Sequence, residues 1–213
     1  LQTKPRRKIS PIVIGTIVFV VILFFAVTNS IHGGNISNAG EYNQALGEAQ
    51  KISQEALDKL SRDEPLTSQD RSNLSKADDL FISIIKYQPD LFAPWLARGM
   101  IYRGLNDPTY AEQMFQMCLR TIPPSKNPDV IATSAEAHYQ LSRVYFDQHK
   151  YDNAIAEAST AIQTVANNPN YLTARAAAFM QKQRYDEAKK DLDDALKLMP
   201  DHKRAASLRR LLH

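Results

Sequence analysis

Cysteine is almost missing from this 213-residue sequence, in which Cys118 stands alone. A single thiol excludes an intrachain disulfide and any zinc site built on several thiolates. Glycine is scarce too, with 7 in the whole chain, and no segment alternates apolar and polar residues as a half-buried strand would. Alanine-rich stretches with apolar residues three and four apart take their place, so the chain is expected to be all-α. Acidic residues are absent before Glu41, while Lys4, Arg6, Arg7 and Lys8 crowd the first eight positions. Without those four, the formal charge of +3 falls to −1. The pI near 8.9 therefore belongs to a basic tail, and the remainder has no cationic surplus to hold phosphates. This argues against a nucleic-acid partner.

The signatures of catalysis are also missing. No Gly-rich phosphate loop, dinucleotide fingerprint or Ser or Cys nucleophile motif occurs. The histidines, His32, His138, His149, His202 and His213, form no set at metal-binding helical spacing. Asp186, Glu187, Asp191, Asp193 and Asp194 cluster near the end, but Lys189, Lys190 and Lys197 are interleaved with them. That pattern reads as a solvated face with pairs four residues apart. No enzyme activity, cofactor, metal or small-molecule substrate is expected.

What is present begins with an apolar run. Ile9 to Val27 contains 19 residues without a charge. As a helix rising ~1.5 Å per residue it would cover about 28 Å, enough to cross a bilayer. A cleaved signal peptide is the rival reading of a basic tail followed by an apolar stretch. The run exceeds the usual signal length, and the nearest small-x-small site, Ser37-Asn38-Ala39, lies far past its end. The sequence therefore divides into a basic tail over 1–8, a single transmembrane helix over 9–28, a flexible linker over 29–40 and a helical domain over 41–213. With Lys and Arg on one flank and none between the run and Lys51 on the other, the N-terminus is expected on the cytoplasmic side. The helical domain would then lie on the opposite, periplasmic or lumenal, side.

Sliding the last third of the domain against itself gives a register of 34 residues: Tyr145 falls on Phe179, Tyr151 on Tyr185, Ala154 on Ala188 and Ala161 on Ala195. Further up, Ala77 falls on Ala111, Phe81 on Phe115 and Pro89 on Pro123. Small residues at such places let paired helices approach closely, and the prolines end the second helix of each pair. Trp95, Gly99, Tyr102, Ala111, Phe115 and Pro123 together resemble the tetratricopeptide repeat family. The next unit keeps Leu141, Ser142, Tyr145, Ala154 and Ala161, with His138 in the Trp place and Ala158 in the second-helix aromatic place. The last keeps Leu172, Ala176, Phe179, Ala188, Ala195 and Pro200.

The resemblance implies an α-solenoid of three to four helix pairs: a degenerate pair over 41–89, pairs over 92–123, 129–166 and 169–200, and a capping helix over 202–212. It also implies a concave groove lined by the first helices, where Leu96, Met100, Arg103, Tyr139, Arg143, Phe146, Thr173, Ala177 and Met180 would bind a partner segment. The Lys/Asn clamp by which some relatives hold chaperone tails is missing, since the matching places carry Leu96, Met100, Gln140, Asn170 and Ala174. The expected function is a membrane-anchored scaffold or assembly factor. The alternative is a permanent accessory subunit of a membrane complex; in both cases the partners are other proteins.

Overall fold

A computed structural model describes residues 39–62 and 64–212. The transmembrane helix expected over 9–28 lies outside the described residues. Among those described, no helix is long and apolar enough to cross a membrane, and the structure is all-helical. The helices are α1 (Ala39–Ser61), α2 (Ser68–Tyr87), α3 (Phe92–Gly104), α4 (Pro108–Thr121), α5 (Pro128–Asp147), α6 (Tyr151–Thr164), α7 (Pro169–Gln181), α8 (Tyr185–Leu198) and α9 (Lys203–Arg210). The first helix thus starts at Ala39, inside the segment read as linker.

Local chemistry sets the helix starts. Pro108, Pro128 and Pro169 open α4, α5 and α7, where a missing N–H costs nothing. The preceding Asp107, Asn127 and Asn168 each accept a backbone N–H in the first turn. α2 begins with a capping box, in which Thr67 Oγ1 accepts from Asp70 N–H and Asp70 accepts from Thr67 N–H. The Lys59 ammonium, 2.9 Å away on α1, and the Thr67 donors pull the Asp70 carboxyl down to about 2.

Turns within pairs repeat as the sequence does. Asn106, His149 and Gln183 all have φ near +60°. Behind them the N–H groups of Asp107, Lys150 and Arg184 donate to the carbonyls of Tyr102, Tyr145 and Phe179 at 2.8, 2.8 and 2.9 Å. The aromatic of each first helix therefore also anchors its own turn.

Helices pack as α1/α2, α3/α4, α5/α6 and α7/α8, and each second helix rests on the next first helix. First helices of neighbouring pairs touch, whereas second helices make no comparable contact with each other. The stack consequently curves with α1, α3, α5 and α7 on its inner side. Gly99 lies under Phe115, and a Cβ there would collide with the ring. In the next pair, where Ala158 replaces that ring, Ser142 fills the gap and its hydroxyl donates to the Ala154 carbonyl at 2.8 Å.

One expectation is corrected by the packing. Asp191 does not belong to a solvated face: it is 4% exposed and paired with the Arg175 guanidinium at 2.7 Å. The same role is played one end away by Arg98 and Asp78, also 2.7 Å apart. His138, half-buried on α5, lies 2.6 Å from the Glu157 carboxylate of α6.

Candidate partner-binding groove

The inner layer presents side chains from α3, α5 and α7, with α9 closing its far end against α7 and α8. On α5, residues 136, 139, 140, 143 and 147 share a stripe by helical spacing. Tyr139 packs against Tyr171 of α7 with ring centroids 5.0 Å apart and planes tilted by 36°, and Arg143 lies over the Tyr139 ring at 5.8 Å. Below them the Gln140 amide donates to Glu136 Oε1 at 2.6 Å and the Tyr171 hydroxyl to Oε2 at 3.4 Å. Burial raises the Glu136 carboxyl above its usual range, while the Gln140 amide and the charges of Arg143 and Arg103 oppose that rise. The same burial raises the Tyr171 hydroxyl, helped by the neighbouring carboxylate.

Nearer α9 the layer opens into a pocket of about 210 Å³. Ser142, Arg143, Phe146 and Asp147 of α5 form one wall, Ala174 and Ala177 of α7 the floor, and Arg204 of α9 the opposite rim. Ala174 and Ala177 are nearly buried, so their small side chains are what leaves the space.

Of the residues assigned to the groove from sequence, Arg143, Phe146 and Ala177 meet in this pocket. Tyr139 stands beside it against Tyr171. Arg103 lies further along, close enough to Glu136 to influence its charge, with its guanidinium 3.5 Å from the Leu60 carbonyl. Met100 and Met180 are half-buried against the apolar clusters of their own ends. Leu96 and Thr173 are both 1% exposed. Leu96 packs among Phe115, Leu141 and Val144, and the Thr173 hydroxyl donates to the Pro169 carbonyl at 2.6 Å, so neither reaches the pocket. Glu136, Gln140 and Asp147 were missed although they continue the Tyr139–Arg143 stripe. Arg204 had no sequence signal, because the capping helix lies outside the repeat register.

Family profiles described as "Tetratricopeptide repeat" match residues 135–164 and 169–202, the α5/α6 and α7/α8 pairs. These two stretches are tetratricopeptide repeats. No curated protein matches it in sequence. Among solved structures, this chain resembles one in the crystal structure of the APC/C hetero-tetramer Cut9–Hcn1, with TM-score 0.62 and 17% identity over 77% of this chain. It spans 30% of that chain. A crystal structure of MamA aligns with TM-score 0.58 and 18% identity, covering 69% of this chain and 83% of that one. A second MamA structure aligns with TM-score 0.57 and 19% identity, over 78% and 81%. At such identities the likeness is one of fold, and it extends over more helices than the two repeats that the profiles match.

Proposed function

We propose that this protein is a non-enzymatic scaffold that holds an extended segment of a partner protein in the groove formed by α3, α5 and α7. The observation that carries the reading is the inner-layer pocket, where Arg143, Phe146 and Ala177 converge beside the Tyr139–Tyr171 pair. Aromatic and arginine side chains around a recess of this kind suit capture of a segment with apolar anchors. The tetratricopeptide fold is itself a support, because its stacked pairs offer a long inner surface rather than a deep enclosed site.

The sequence extends the proposal to location. An uncharged run over 9–27 behind a basic tail would tether the scaffold to a bilayer and raise its effective concentration near membrane partners. The membrane-complex partners, the single-pass anchor and the periplasmic or lumenal placement all rest on that run. A standing accessory subunit of a membrane complex remains the second reading, on the same observation.

The test is crosslinking in native membranes followed by mass spectrometry, on wild type and on Tyr139→Ala combined with Phe146→Ala. Two large aromatics lost from the centre of an interface commonly cost 2 kcal/mol or more, so partner recovery should reflect an affinity lower by roughly 30-fold or above. Tyr145→Ala serves as the control, since Tyr145 is 8% exposed and packs in the core. Partner crosslinks unchanged in the double variant would remove the groove from the proposal.

A further inference from the structure

We infer that Glu136 and Gln140 of α5 form an acid–amide pair that takes up a proton when an apolar side chain of the partner segment settles beside Tyr139 and Tyr171, so that the groove binds an uncharged, apolar segment more tightly as pH falls. This rests on the groove reading above and names the chemistry of the segment and a condition that regulates its capture. The geometry starts from an incomplete hydrogen-bond set. The Gln140 side chain, in a residue 4% exposed, donates from Nε2 to Glu136 Oε1 at 2.6 Å, while its own Oε1 is buried and has no partner among the described residues. A carboxylate cannot satisfy that acceptor, because it has no proton to give. The neutral acid can. It donates from one oxygen to Gln140 Oε1 and still accepts from Nε2 on the other, which closes a ring of two hydrogen bonds and satisfies the buried orphan.

The surroundings favour the same state. Glu136 is half-buried, with the hydroxyl of the buried Tyr171 3.4 Å from Oε2. The ionisable groups that face it are Arg143 of its own helix, Tyr171 of α7 and Arg103 of α3, with Tyr139 against the Tyr171 ring. On the other faces of α5, Glu112 of α4 is engaged by the Tyr145 hydroxyl and Glu157 of α6 by His138. Burial has the largest effect on the Glu136 carboxyl and raises it, against the opposition of Gln140, Arg143 and Arg103. An apolar side chain laid on the Tyr139–Tyr171 pair would strip water from what is still exposed of Glu136 and raise the carboxyl further, since desolvation penalises only the charged form. The bound state then holds the proton more tightly than the free state. By linkage, affinity rises as pH falls through the bound-state pKa and levels off below the free-state one. A lysine at the same place in the partner would reverse the sign.

The probe is an array of acetylated, amidated peptides of leucine, alanine and serine in randomised order, because none of them carries a group that titrates. The tightest binder is taken to calorimetry with the full chain in mild detergent, at pH 8 and pH 5 and in buffers of different ionisation enthalpy. It should bind about 10-fold more tightly at pH 5, an ordinary size for coupling between two binding events, and with net proton uptake. The uptake is read on wild type and needs no variant. Glu136→Gln keeps the shape and sets a permanently neutral donor beside Gln140, so it should bind at both pH values as wild type does at pH 5, without uptake. Circular dichroism verifies its fold, and His202 is intact in both proteins, so its own titration cancels. Affinity that is equal at both pH values or lower at pH 5, yet is lost with Tyr139→Ala, would overturn the proton-linked pair and leave the groove standing. So would a preference for acid that persists in Glu136→Gln. No binding at all, or binding indifferent to Tyr139→Ala, would overturn the groove reading and this inference with it.

Discussion

Gln183 turns the chain between α7 and α8 with φ 59°, in the left-handed region that a side chain disfavours. Its partners in the other pairs are Asn106 and His149, so the strained site recurs while the residue type does not. Gln183 is exposed and no interaction of its side chain holds it in place, which leaves the backbone free to benefit from glycine. We expect Gln183→Gly to raise stability by about 0.5–1 kcal/mol, read as a higher denaturation midpoint in urea with an unchanged slope. The reverse logic applies at Ala111 and Ala188, both fully buried where paired helices meet. Ala111→Leu and Ala188→Leu should each destabilise by about 1–3 kcal/mol, because added methylenes in a filled contact force the helices apart. An unchanged melting temperature for both would contradict the packing. These close contacts were legible as small residues in register. Their partners were legible as well, since Gly99 stands where the second helix brings Phe115 and Ser142 where it brings Ala158. The left-handed turns were not, because Asn, His and Gln give no common signal where glycine would have.

At the scale of elements, the short α9 depends on one histidine. His202 Nδ1 accepts the Ala205 N–H at 3.1 Å, and Nε2 lies 2.9 Å from Asn170 Oδ1 on α7. Only the neutral ring with its proton on Nε2 serves both contacts, capping α9 and tying it to the last repeat. Burial holds the His202 pKa below its ordinary value of 6.5, with Arg204 adding to the effect and Asp201 opposing it. Protonation is thus favoured in the unfolded chain, so the contribution is complete above pH 6.5 and declines as pH falls through that value toward the folded pKa. The melting temperature of wild type should accordingly drop between pH 7 and pH 5 more than that of His202→Asn, whose side chain caps without titrating. Parallel pH profiles would show that the imidazole is not the latch. The sequence places a capping helix here, with Ala205, Leu208 and Leu212 on one face. It does not mark His202 as the cap, since a lone histidine before a helix carries little signal until its neighbours are known. α1 begins two residues before the boundary drawn for it, as helix ends generally drift.

For the whole molecule, 34-residue periodicity was enough to read a solenoid, because each pair must bury its stripe on the next. It was not enough to place every groove residue. Spacing of three and four assigns Leu96 and Thr173 to the same faces as Met100 and Ala177, yet the first two are fully buried while Met100 is half-buried and Ala177 lines the pocket. Curvature decides which edge of a stripe is open, and curvature comes from contacts between helices that a single repeat does not encode. The remaining prediction concerns the segment before the solenoid. A run of 19 uncharged residues gives a hydrocarbon-spanning length as a helix, whereas a cleaved leader would need a processing site nearer its end. Full-length protein in native membranes should therefore stay in the pellet through a carbonate wash, and a soluble chain beginning near Gly40 would indicate cleavage instead. The direction we propose follows from the cationic flank, since Lys4, Arg6, Arg7 and Lys8 would resist transfer while the stretch before Lys51 carries no Lys or Arg. In sealed vesicles with the cytoplasmic face outward, protease should leave the region after Ser30 intact until detergent is added. Digestion without detergent would place the groove on the cytoplasmic face, and the search for its partner would move there with it.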